Sequence, residues 1–583
     1  MKERIFRHWI ILGIWLLLST ALVVTSWAQI RSGVGLDPDD QLRLVQLRDF
    51  LNGQGWFDNR QYRLNSPDGA PMHWSRLIEL PLAALVLLGA PFFGQLQAET
   101  IASTIMPLIL FGGIILLLSR IAWHVGGQAA SIAAAIVAAM SVPLVMQLRP
   151  VRIDHHGWQI AMAVLALASL FHSNARHSGL VLGAALAVWL HISLEGAPMS
   201  AAFFLFLGWQ WLTRPDESAR LFWTIVAFAL SSVGLFLGTQ AQGLGASIYC
   251  DTLSPPHIWA ILMAVAIMLP GLNWAPRQPA IRALIMLSAG GAAIVVIVLR
   301  APECLTGAFS TLDPLVREYW YIYVKEGMPI WHQDYQTAAV LLAGPVVGFI
   351  SSLYMTYKAA GQDRYNLLVL CFFTAYGLML SLLVFRTVSV ASAYAVLPTA
   401  LLVARLFTCY RAENMPLRRV LCVVGMLLLV VPGSWASTLI DNLPTQRTPE
   451  DAQSKTSSAT CESAQSVAAL GALPRGQFLA PFDMAPMILA RTPHSVLASS
   501  HHRNERAMHD HIQIFRSSPE TAHQLLKKRG INYVAVCADE EELANYAQRD
   551  PKGLWAQMAT GKVPDWLAPL PVMGKGIKVW RVR

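Results

Sequence analysis

The sequence has few charged residues: Asp, Glu, Lys and Arg make up only 14% of it, whereas soluble proteins have about 25%. This shortage excludes a disordered chain and a coiled coil, because both are rich in polar and charged residues. Cysteine is also scarce, with seven in 583 residues, which excludes a small secreted scaffold held by disulfides. Apolar sequence replaces the missing charge, since 55% of the residues are hydrophobic. We interpret the chain as a membrane protein with some soluble mass attached.

Long apolar runs cover most of the first 436 residues. A membrane-spanning helix needs about 20 largely apolar residues. This rule predicts a polytopic α-helical protein with about thirteen spans: 8–30, 99–120, 126–147, 157–172, 178–193, 198–213, 220–240, 257–272, 281–299, 336–356, 365–385, 388–408 and 418–436. Another run, 77–94, contains Pro81, Pro91 and Glu79, and we interpret it as an interfacial or re-entrant helix.

Membrane orientation explains the net charge of +9. With the N-terminus in the cytoplasm, Lys and Arg are concentrated in the loops on that side, as the positive-inside rule requires. The first apolar run could end in a signal-peptide cleavage site at Ala28, but its length and the charge pattern favour an uncleaved anchor. We expect a multi-pass protein of the cell inner (cytoplasmic) membrane, with its C-terminal region periplasmic or otherwise extracytoplasmic. No basic tract interleaved with aromatic residues suggests a nucleic-acid partner.

The chain divides into a transmembrane domain, 1–436, and an extramembrane α/β domain, 437–583. The transmembrane domain has an outer first loop, 31–98, and an outer loop, 300–335. Outside the membrane, Cys250 could pair with Cys304 and Cys461 with Cys537, and the sequence leaves both pairings open. The histidines between His494 and His511 match no standard zinc spacing, so we interpret them as a solvated surface.

Three acidic residues, Asp37, Asp39 and Asp40, stand at the start of a predicted amphipathic helix in the first loop. One acid at a helix start commonly caps it, but three exceed what a cap needs. Close carboxylates repel one another unless a cation lies between them, and hard cations prefer oxygen ligands. The cluster therefore predicts a metal-binding or catalytic role.

A second cluster follows the third predicted span. Asp154 and His156 are separated by one residue, so an extended segment directs both side chains the same way. A carboxylate with an imidazole is a credible pair of ligands for a divalent metal, and the neighbouring Arg152 suits a phosphate. Arg386, at the end of another span, is either an interfacial anchor or a phosphate ligand. Glu195 is a functional candidate because it lies at the edge of a span.

Several motifs are missing from the sequence. It has no phosphate-binding loop of the G-x-x-x-x-G-K-[ST] type, no nucleophile elbow and no H-E-x-x-H pattern. The predicted spans also contain few ionisable residues, which is unusual for an ion-coupled transporter.

This layout resembles the GT-C class of membrane glycosyltransferases, and most closely the catalytic subunit of oligosaccharyltransferases. The resemblance covers nearly the whole chain by topology, but only short stretches by residue. Asp39, or else Asp37 or Asp40, matches the essential first-loop Asp of that family. Asp154 and His156 match its D-x-H motif after the third span.

Two further residues resemble family positions in other parts of the chain. Arg386 is similar to the arginine that holds the lipid phosphate. Glu318 lies where a loop glutamate is expected, although the local T-I-x-E pattern is missing. The family's W-W-D-Y-G motif, which recognises the acceptor's Ser or Thr, is reduced here to Pro481–Pro486, where Asp483 remains and both Trp are gone. The acceptor therefore need not be the Asn-X-Ser/Thr sequon.

The resemblance implies transfer of a sugar or oligosaccharide from a polyprenyl phosphate or pyrophosphate to a glycan, lipid or protein acceptor outside the membrane. It also implies a divalent metal, Mg²⁺ or Mn²⁺, and contact with membrane lipids. The alternative is a membrane transporter or a lipid or glycolipid flippase. The residues assigned to each role are, for catalysis, Asp39, Asp40 and Glu318; for the metal, Asp39, Asp154 and His156; for the donor phosphate, Arg386 and Arg152; and for the acceptor, Asp483.

Overall fold

The computed structural model describes residues 2–33, 35, 37–214, 217–274, 276–309, 311–441, 464–537, 540–571 and 576–583. Most of these residues are helical. The α-helices are α1 (Lys2–Thr25), α2 (Trp27–Ser32), α3 (Pro38–Leu51), α4 (Glu79–Phe93), α5 (Gln95–Ala139), α6 (Val142–Leu148), α7 (His156–Leu170), α8 (Ala175–Ile192), α9 (Ala197–Thr213), α10 (Ser218–Thr239), α11 (Pro255–Trp274), α12 (Pro279–Arg300), α13 (Pro314–Tyr319), α14 (Tyr335–Lys358), α15 (Gly361–Leu383), α16 (Val388–Ala412), α17 (Pro416–Val430), α18 (Pro432–Asp441), α19 (Ala464–Ala468), α20 (Ala485–Arg491), α21 (Glu505–Arg516), α22 (Pro519–Lys528), α23 (Glu541–Arg549) and α24 (Leu554–Ala559).

Strands occupy only short stretches. They are β1 (Arg60–Gln61), β2 (Ala70–Pro71), β3 (Gln477–Leu479), β4 (Ser495–Val496), β5 (Tyr533–Cys537), β6 (Leu567–Pro569) and β7 (Ile577–Val582). β1 and β2 form an antiparallel pair in the first loop, and the other five form one sheet in the C-terminal region.

The predicted helical membrane architecture is confirmed. Among the described residues, ten helices are long and apolar enough to cross a membrane, and an eleventh crossing results if a bent pair forms one span. All thirteen apolar runs of the sequence lie on helices. The run 99–120 and the first part of the run 126–147 share the 45-residue helix α5, and the rest of the second run lies on α6.

A kink divides α5 between those two runs. Gly127 has φ 75° and ψ −160°, which interrupts the helical backbone. Side chains other than glycine rarely adopt such a positive φ. The hydroxyl of Ser131 donates a hydrogen bond to the carbonyl oxygen of Ser119 across this kink, at 2.8 Å. The second part of the helix therefore folds back on the first.

The last apolar run, 418–436, is not the straight span that the sequence predicted. α17 and α18 meet at an angle of 86°. The bend occurs at Val431, directly before Pro432, whose ring removes an amide donor from the helix. This bend is compatible with a broken span or with a re-entrant loop.

The helix α4 corresponds to the run that we expected to be interfacial or re-entrant. With the preceding turn it is also long and apolar enough to cross a membrane. Leu82, Ala83 and Val86 pack in a core with α5 residues, whereas Leu88 and Phe92 on the same helix are largely exposed. This exposed apolar face requires apolar surroundings, which the membrane provides for a spanning helix and also for an interfacial or re-entrant one.

The C-terminal region contains a mixed sheet with the strand order β4-β3-β5-β7-β6. The first three strands are parallel, and β7 runs antiparallel to both β5 and β6. Helices connect the parallel strands, as expected for an α/β unit. The division of the chain at residues 436 and 437 stays a prediction.

Both outer loops share hydrophobic cores with the C-terminal region. Leu42 and Trp74 of the first loop belong to one core with Phe478 and Ile488. A second core combines residues of the outer loop 300–335 with residues of the C-terminal sheet and its helices. The three segments therefore fold as one unit, in which the loops depend on the C-terminal region for their packing.

The structure corrects one interpretation and decides one open pairing. His494, His501 and His511 are buried and do not form a solvated surface, because their rings pack within the C-terminal fold. Cys250 and Cys304 form a disulfide. Of the other possible pair, Cys461 lies outside the described residues.

Candidate active site

Capping interactions fix the start of α3. Asp37 is the N-cap residue, and its carboxylate accepts a hydrogen bond from the amide of Asp40 at 3.1 Å. The Asp40 carboxylate accepts one in return from the amide of Asp37, at 3.3 Å, which completes a capping box. Two of the three acids of the cluster therefore have capping roles, and Asp39 between them does not.

Asp40 also holds the loop that precedes α7. Its Oδ1 accepts hydrogen bonds from the amides of Ile153 and Asp154 at 2.9 and 3.0 Å, and Nη1 of Arg152 lies 3.2 Å from Oδ2. Val151, earlier in the loop, has a φ of 63°, which is an unfavourable conformation for a β-branched residue. Contacts from the surrounding fold must hold such a conformation, and the buried Asp40 provides several of them.

The same loop brings Asp154 into contact with two histidines. Its Oδ1 pairs with Nδ1 of His155, and its Oδ2 lies 3.3 Å from Nε2 of His156. Burial opposes ionisation of Asp154, but the positive charges of His155, His156 and Arg152 hold its pKa well below the usual value. Asp154 is therefore a carboxylate at neutral pH.

Glu195 adds a second carboxylate from the short 3₁₀ turn between α8 and α9. Ligand atoms of His155, His156 and Glu195 all lie within 4.8 Å of one another. Gln159 donates to Oε2 of Glu195 at 3.3 Å and accepts from the indole of Trp189 at 3.0 Å. These contacts fix the orientation of the glutamate.

Arg386 neutralises Glu195 from the 3₁₀ turn between α15 and α16. Its guanidinium pairs directly with the Glu195 carboxylate, and its Nη2 lies 3.7 Å from Oε1 of Glu326 in the outer loop. Burial opposes ionisation of Glu195, but Arg386 and the two histidines lower its pKa to about 2. Nε of Arg386 is buried without a hydrogen-bond partner among the described residues.

Asp39 contacts the C-terminal region at this site. Its Oδ1 lies 3.2 Å from Nε2 of His501, and the side chain of Asp39 is 36% exposed. Burial lowers the pKa of the nearby Arg43, and the negative charges of Asp154, Glu79, Asp39 and Asp40 oppose that shift. The two acidic clusters of the sequence therefore act on the same buried guanidinium.

The structure brings some of the predicted site residues into contact and leaves others apart. Asp154 and His156 are in contact, whereas Asp39 faces His501 and is not one of the three mutually close ligands, so the predicted metal set stays a prediction. Asp40 and Arg152 contact each other and Asp154, so both help to position that residue, and their roles in catalysis and in phosphate binding stay predictions.

Two predicted residues have their contacts elsewhere. Glu318 on α13 is exposed and pairs with Arg549 of the C-terminal region at 3.0 Å. The acid of this loop that approaches Arg386 is Glu326, and no local pattern in the sequence distinguishes it from the other acids there. Asp483 lies exposed in the turn before α20, and its role in acceptor binding stays a prediction.

Sequence reasoning did not assign roles to His155, Glu326 or His501. His155 lies between Asp154 and the predicted His156 in the sequence, so its proximity to Asp154 could have been predicted. His501 contacts a residue of the first loop from the C-terminal region, and no spacing rule connects two segments so far apart in the chain.

The helical bundle with its mixed C-terminal sheet has the GT-C-like fold that is seen in solved oligosaccharyltransferases. An archaeal oligosaccharyltransferase, AglB from Archaeoglobus fulgidus, in complex with an inhibitory peptide and a dolichol-phosphate, has this fold. It matches with a TM-score of 0.63 and 15% identity, over 97% of this chain and 73% of its own.

Two further structures of an Archaeoglobus fulgidus oligosaccharyltransferase are similar. The complex with Zn and sulfate has a TM-score of 0.60 and 14% identity, over 96% of this chain and 71% of its own. The form tethered to an acceptor peptide with the NVT sequon has the same TM-score and identity, over 98% of this chain and 74% of its own. By sequence alone, neither a protein-family model nor a curated protein matches. The fold predicted from the resemblance is confirmed.

Proposed function

We propose that this protein is a glycosyltransferase that transfers a sugar or an oligosaccharide from a polyprenyl phosphate or pyrophosphate to an acceptor on the outer side of the membrane. The observation that carries the proposal is the contact of Asp154 with His155 and His156, beside the Glu195–Arg386 pair, at the ends of bundle helices. The dolichol-phosphate in the AglB complex supports a lipid-phosphate donor.

The donor atoms near Asp154 fit a divalent metal. Its Oδ2 is buried and makes no hydrogen bond to any described residue, although His156 and Arg152 lie 3.3 and 3.5 Å from it. With His155, His156 and Glu195 this gives two imidazoles and two carboxylates, a ligand set that suits several divalent metals. When bound, the metal would supply positive charge to the leaving phosphate. An oligosaccharyltransferase of similar fold forms a complex with Zn and sulfate, which supports binding of a cation and an anion.

Arg386 is suited to bind the phosphate of the donor. An arginine grips phosphate through two parallel hydrogen bonds, and this arginine has a buried Nε without a described partner. Its present partners, Glu195 and Glu326, are carboxylates for which a phosphate can substitute. Binding of the donor would therefore keep Arg386 paired with an anion, and the displaced Glu195 would take the bound metal as its partner.

Asp39 is suited to orient the acceptor. In the reaction, the bond between the sugar's anomeric carbon and the phosphate oxygen breaks, and the phosphate leaves with the electron pair. The acceptor's nucleophilic atom bonds to that carbon and loses a proton. A partly exposed carboxylate such as Asp39 can accept this proton or hold the nucleophile, and His501 fixes its direction.

In this proposal, the acceptor is a group other than the Asn-X-Ser/Thr sequon of oligosaccharyltransferases. In the segment that replaces W-W-D-Y-G, Pro481–Pro486, the ring of Phe482 stacks on His511 with centroids 4.1 Å apart. The amide of Phe482 donates to Glu542 at 2.8 Å. These groups are used in the packing of the C-terminal region, so only Asp483 is exposed to contact an acceptor. A glycan, lipid or other protein acceptor is therefore expected.

The proposal is tested by transfer of label from a radiolabelled polyprenyl-phosphate or pyrophosphate sugar, using full-length protein in vesicles and a membrane extract as the source of acceptors. Asp154→Asn and Arg386→Gln should each lower transfer by about 100-fold or more. Chelation of divalent cations should abolish transfer, and Mg²⁺ or Mn²⁺ should restore it. Wild-type protein that moves labelled lipid between leaflets without cleaving the sugar bond would refute the transferase and favour a flippase.

Glu413→Gln provides a matched control. Glu413 pairs with Arg418 on an exposed surface, at 3.4 Å, and its charge change resembles that of Asp154→Asn. It should leave transfer unchanged. Equal losses in the control and in the site variants would mean that the losses report on folding, and the assigned roles would fail.

A further inference from the structure

A second group of possible metal ligands lies outside the candidate active site. Ligand atoms of His73, Asp251 and His502 are all within 4.8 Å of one another. Each residue comes from a different part of the chain: the first loop, the connection between α10 and α11, and the C-terminal region. Nε2 of His502 lies 2.7 Å from Oδ2 of Asp251, and the rings of His73 and His502 have centroids 4.9 Å apart.

An unpaired nitrogen atom of His73 indicates that this group could bind a ligand. Nδ1 of His73 is buried and has no hydrogen-bond partner in the described part of the chain. A buried polar atom without a partner destabilises a fold. Metal binding by the imidazole would give that ring a polar partner.

We propose that His73, Asp251 and His502 bind a zinc ion that joins the first loop to the C-terminal region. Two imidazoles and one carboxylate are a ligand set that zinc accepts, with a water completing the tetrahedron. Zinc bonds of about 2.0–2.2 Å place ligands roughly 3.3–3.6 Å apart. The observed separations therefore need only small side-chain rotations.

Arg503 positions two of the three ligands. Its Nη2 and Nε donate to Oδ1 and Oδ2 of Asp251 at 2.7 and 2.9 Å. Its Nη1 donates to the carbonyl oxygen of Met72, next to His73, at 3.0 Å. Hydrogen bonds from such outer groups orient metal-bound carboxylates. The disulfide of Cys250 with Cys304 further anchors the segment that carries Asp251.

An ion pair without metal is the competing explanation. Arg503 alone neutralises Asp251, and His502 could simply donate a hydrogen bond to the same carboxylate. That arrangement accounts for Asp251 and His502, but it gives Nδ1 of His73 no role. The zinc site accounts for all three residues.

The proposed zinc site would also affect the candidate active site beside it. His501 and His502 are consecutive, and they contact Asp39 and Asp251 respectively. Fixing His502 on a metal would fix the backbone that presents His501 to Asp39. The zinc would therefore act as a structural clamp beside the candidate active site, with no part in the reaction itself.

The test uses full-length protein in detergent, stripped with a chelator, reloaded with zinc and freed of excess metal, with bound zinc measured by mass spectrometry. An Asp154→Asn background weakens the metal group of the candidate active site. In this background one zinc equivalent should remain. This zinc should be lost when His73→Gln or His502→Gln is added. It should persist when His509→Gln is added as a control, because His509 lies outside the proposed site and pairs with Asp313. Circular dichroism and elution volume establish that each variant is folded.

Zinc content that is the same with and without His73→Gln would overturn the proposal, as would an Asp154→Asn protein that retains no zinc. If the glutamine variants do not fold, Co²⁺ bound to an Asp154→Asn, His156→Gln protein, in which the metal group of the candidate active site is disrupted, decides the question. A visible spectrum typical of tetrahedral Co²⁺ with nitrogen and oxygen ligands supports the site, and the absence of that spectrum refutes it. Neither measurement depends on transferase activity.

Discussion

Substitutions at the adjacent residues Asp39 and Asp40 should have opposite effects. Asp40 is buried, and its carboxylate accepts two amide hydrogen bonds, at 2.9 and 3.0 Å, besides its contact with Arg152. Hydrogen bonds to a charged acceptor are worth about 1.5–3 kcal/mol each, and neutral ones about 0.5–1.5. Asp40→Asn keeps the shape but loses the charge at both bonds and beside Arg152. We expect it to reduce the free energy of unfolding by about 2–4 kcal/mol.

Asp39→Asn should change stability by less than about 1 kcal/mol, because the Asp39 carboxylate is partly exposed and, among the described residues, its ion-pair partner is His501 at 3.2 Å. It should nevertheless lower the rate of glycosyl transfer by about 100-fold or more. Stability is measured by detergent-induced unfolding in mixed micelles, followed by tryptophan fluorescence, and activity by label transfer. If both variants were equally destabilised, or if Asp40→Asn were as stable as the wild type, the division of roles would be wrong.

Two other predictions concern regions outside the site. Gly183→Ala should destabilise the packing of α8 on α10, because a Cβ there would lie 2.3 Å from the carbonyl oxygen of Thr224. The control Gly290→Ala on α12 should not destabilise the protein, because its Cβ would meet no atom within 4 Å. Thermal unfolding of the two variants tests this difference. For Asp550, burial opposes ionisation, but Arg516 and other partners lower its pKa. Its stabilising effect is therefore present above the unfolded pKa of about 3.9 and is lost as the pH falls through the folded value. Asp550→Asn should lower the Tm at pH 7, and a difference that did not shrink near pH 3 would contradict this.

Local patterns of the sequence predicted most of the fold correctly. Apolar runs of about 20 residues indicate helices because the bilayer core imposes that length. In the C-terminal region, the apolar segments 478–480, 495–497 and 533–537 have the composition of strands, and they correspond to β3, β4 and β5. The strand β7 was missed, although Ile577, Val579 and Trp580 are buried and the segment is rich in β-branched and aromatic residues. Its antiparallel pairing with β5 depends on contacts that no local window contains.

The candidate site was predictable only where its residues are close in the chain. Asp154 and His156 are separated by one residue, so their common direction follows from local geometry. The pair of Glu195 with Arg386 and the pair of Asp39 with His501 join distant segments. Such contacts arise from the tertiary fold, and neither member carries a local signal of its partner. The acid cluster marked Asp40 as a catalytic candidate, which stays a prediction, but no local pattern indicated that Asp40 also holds the loop before α7.

The site cannot be divided between the helical bundle and the C-terminal region. The contacts of Asp154 and Glu195 are made by bundle segments, whereas the contact of Asp39 is made by His501 of the C-terminal region. The first loop that carries Asp39 also buries Leu42 in a core with C-terminal residues. Removing the C-terminal region would therefore expose that core, release the partner of Asp39 and loosen Asp40, which holds the loop of Asp154. For this reason a lid that opens and closes over an otherwise complete site is a poor description of the C-terminal region, which supplies part of the site and holds the first loop in position.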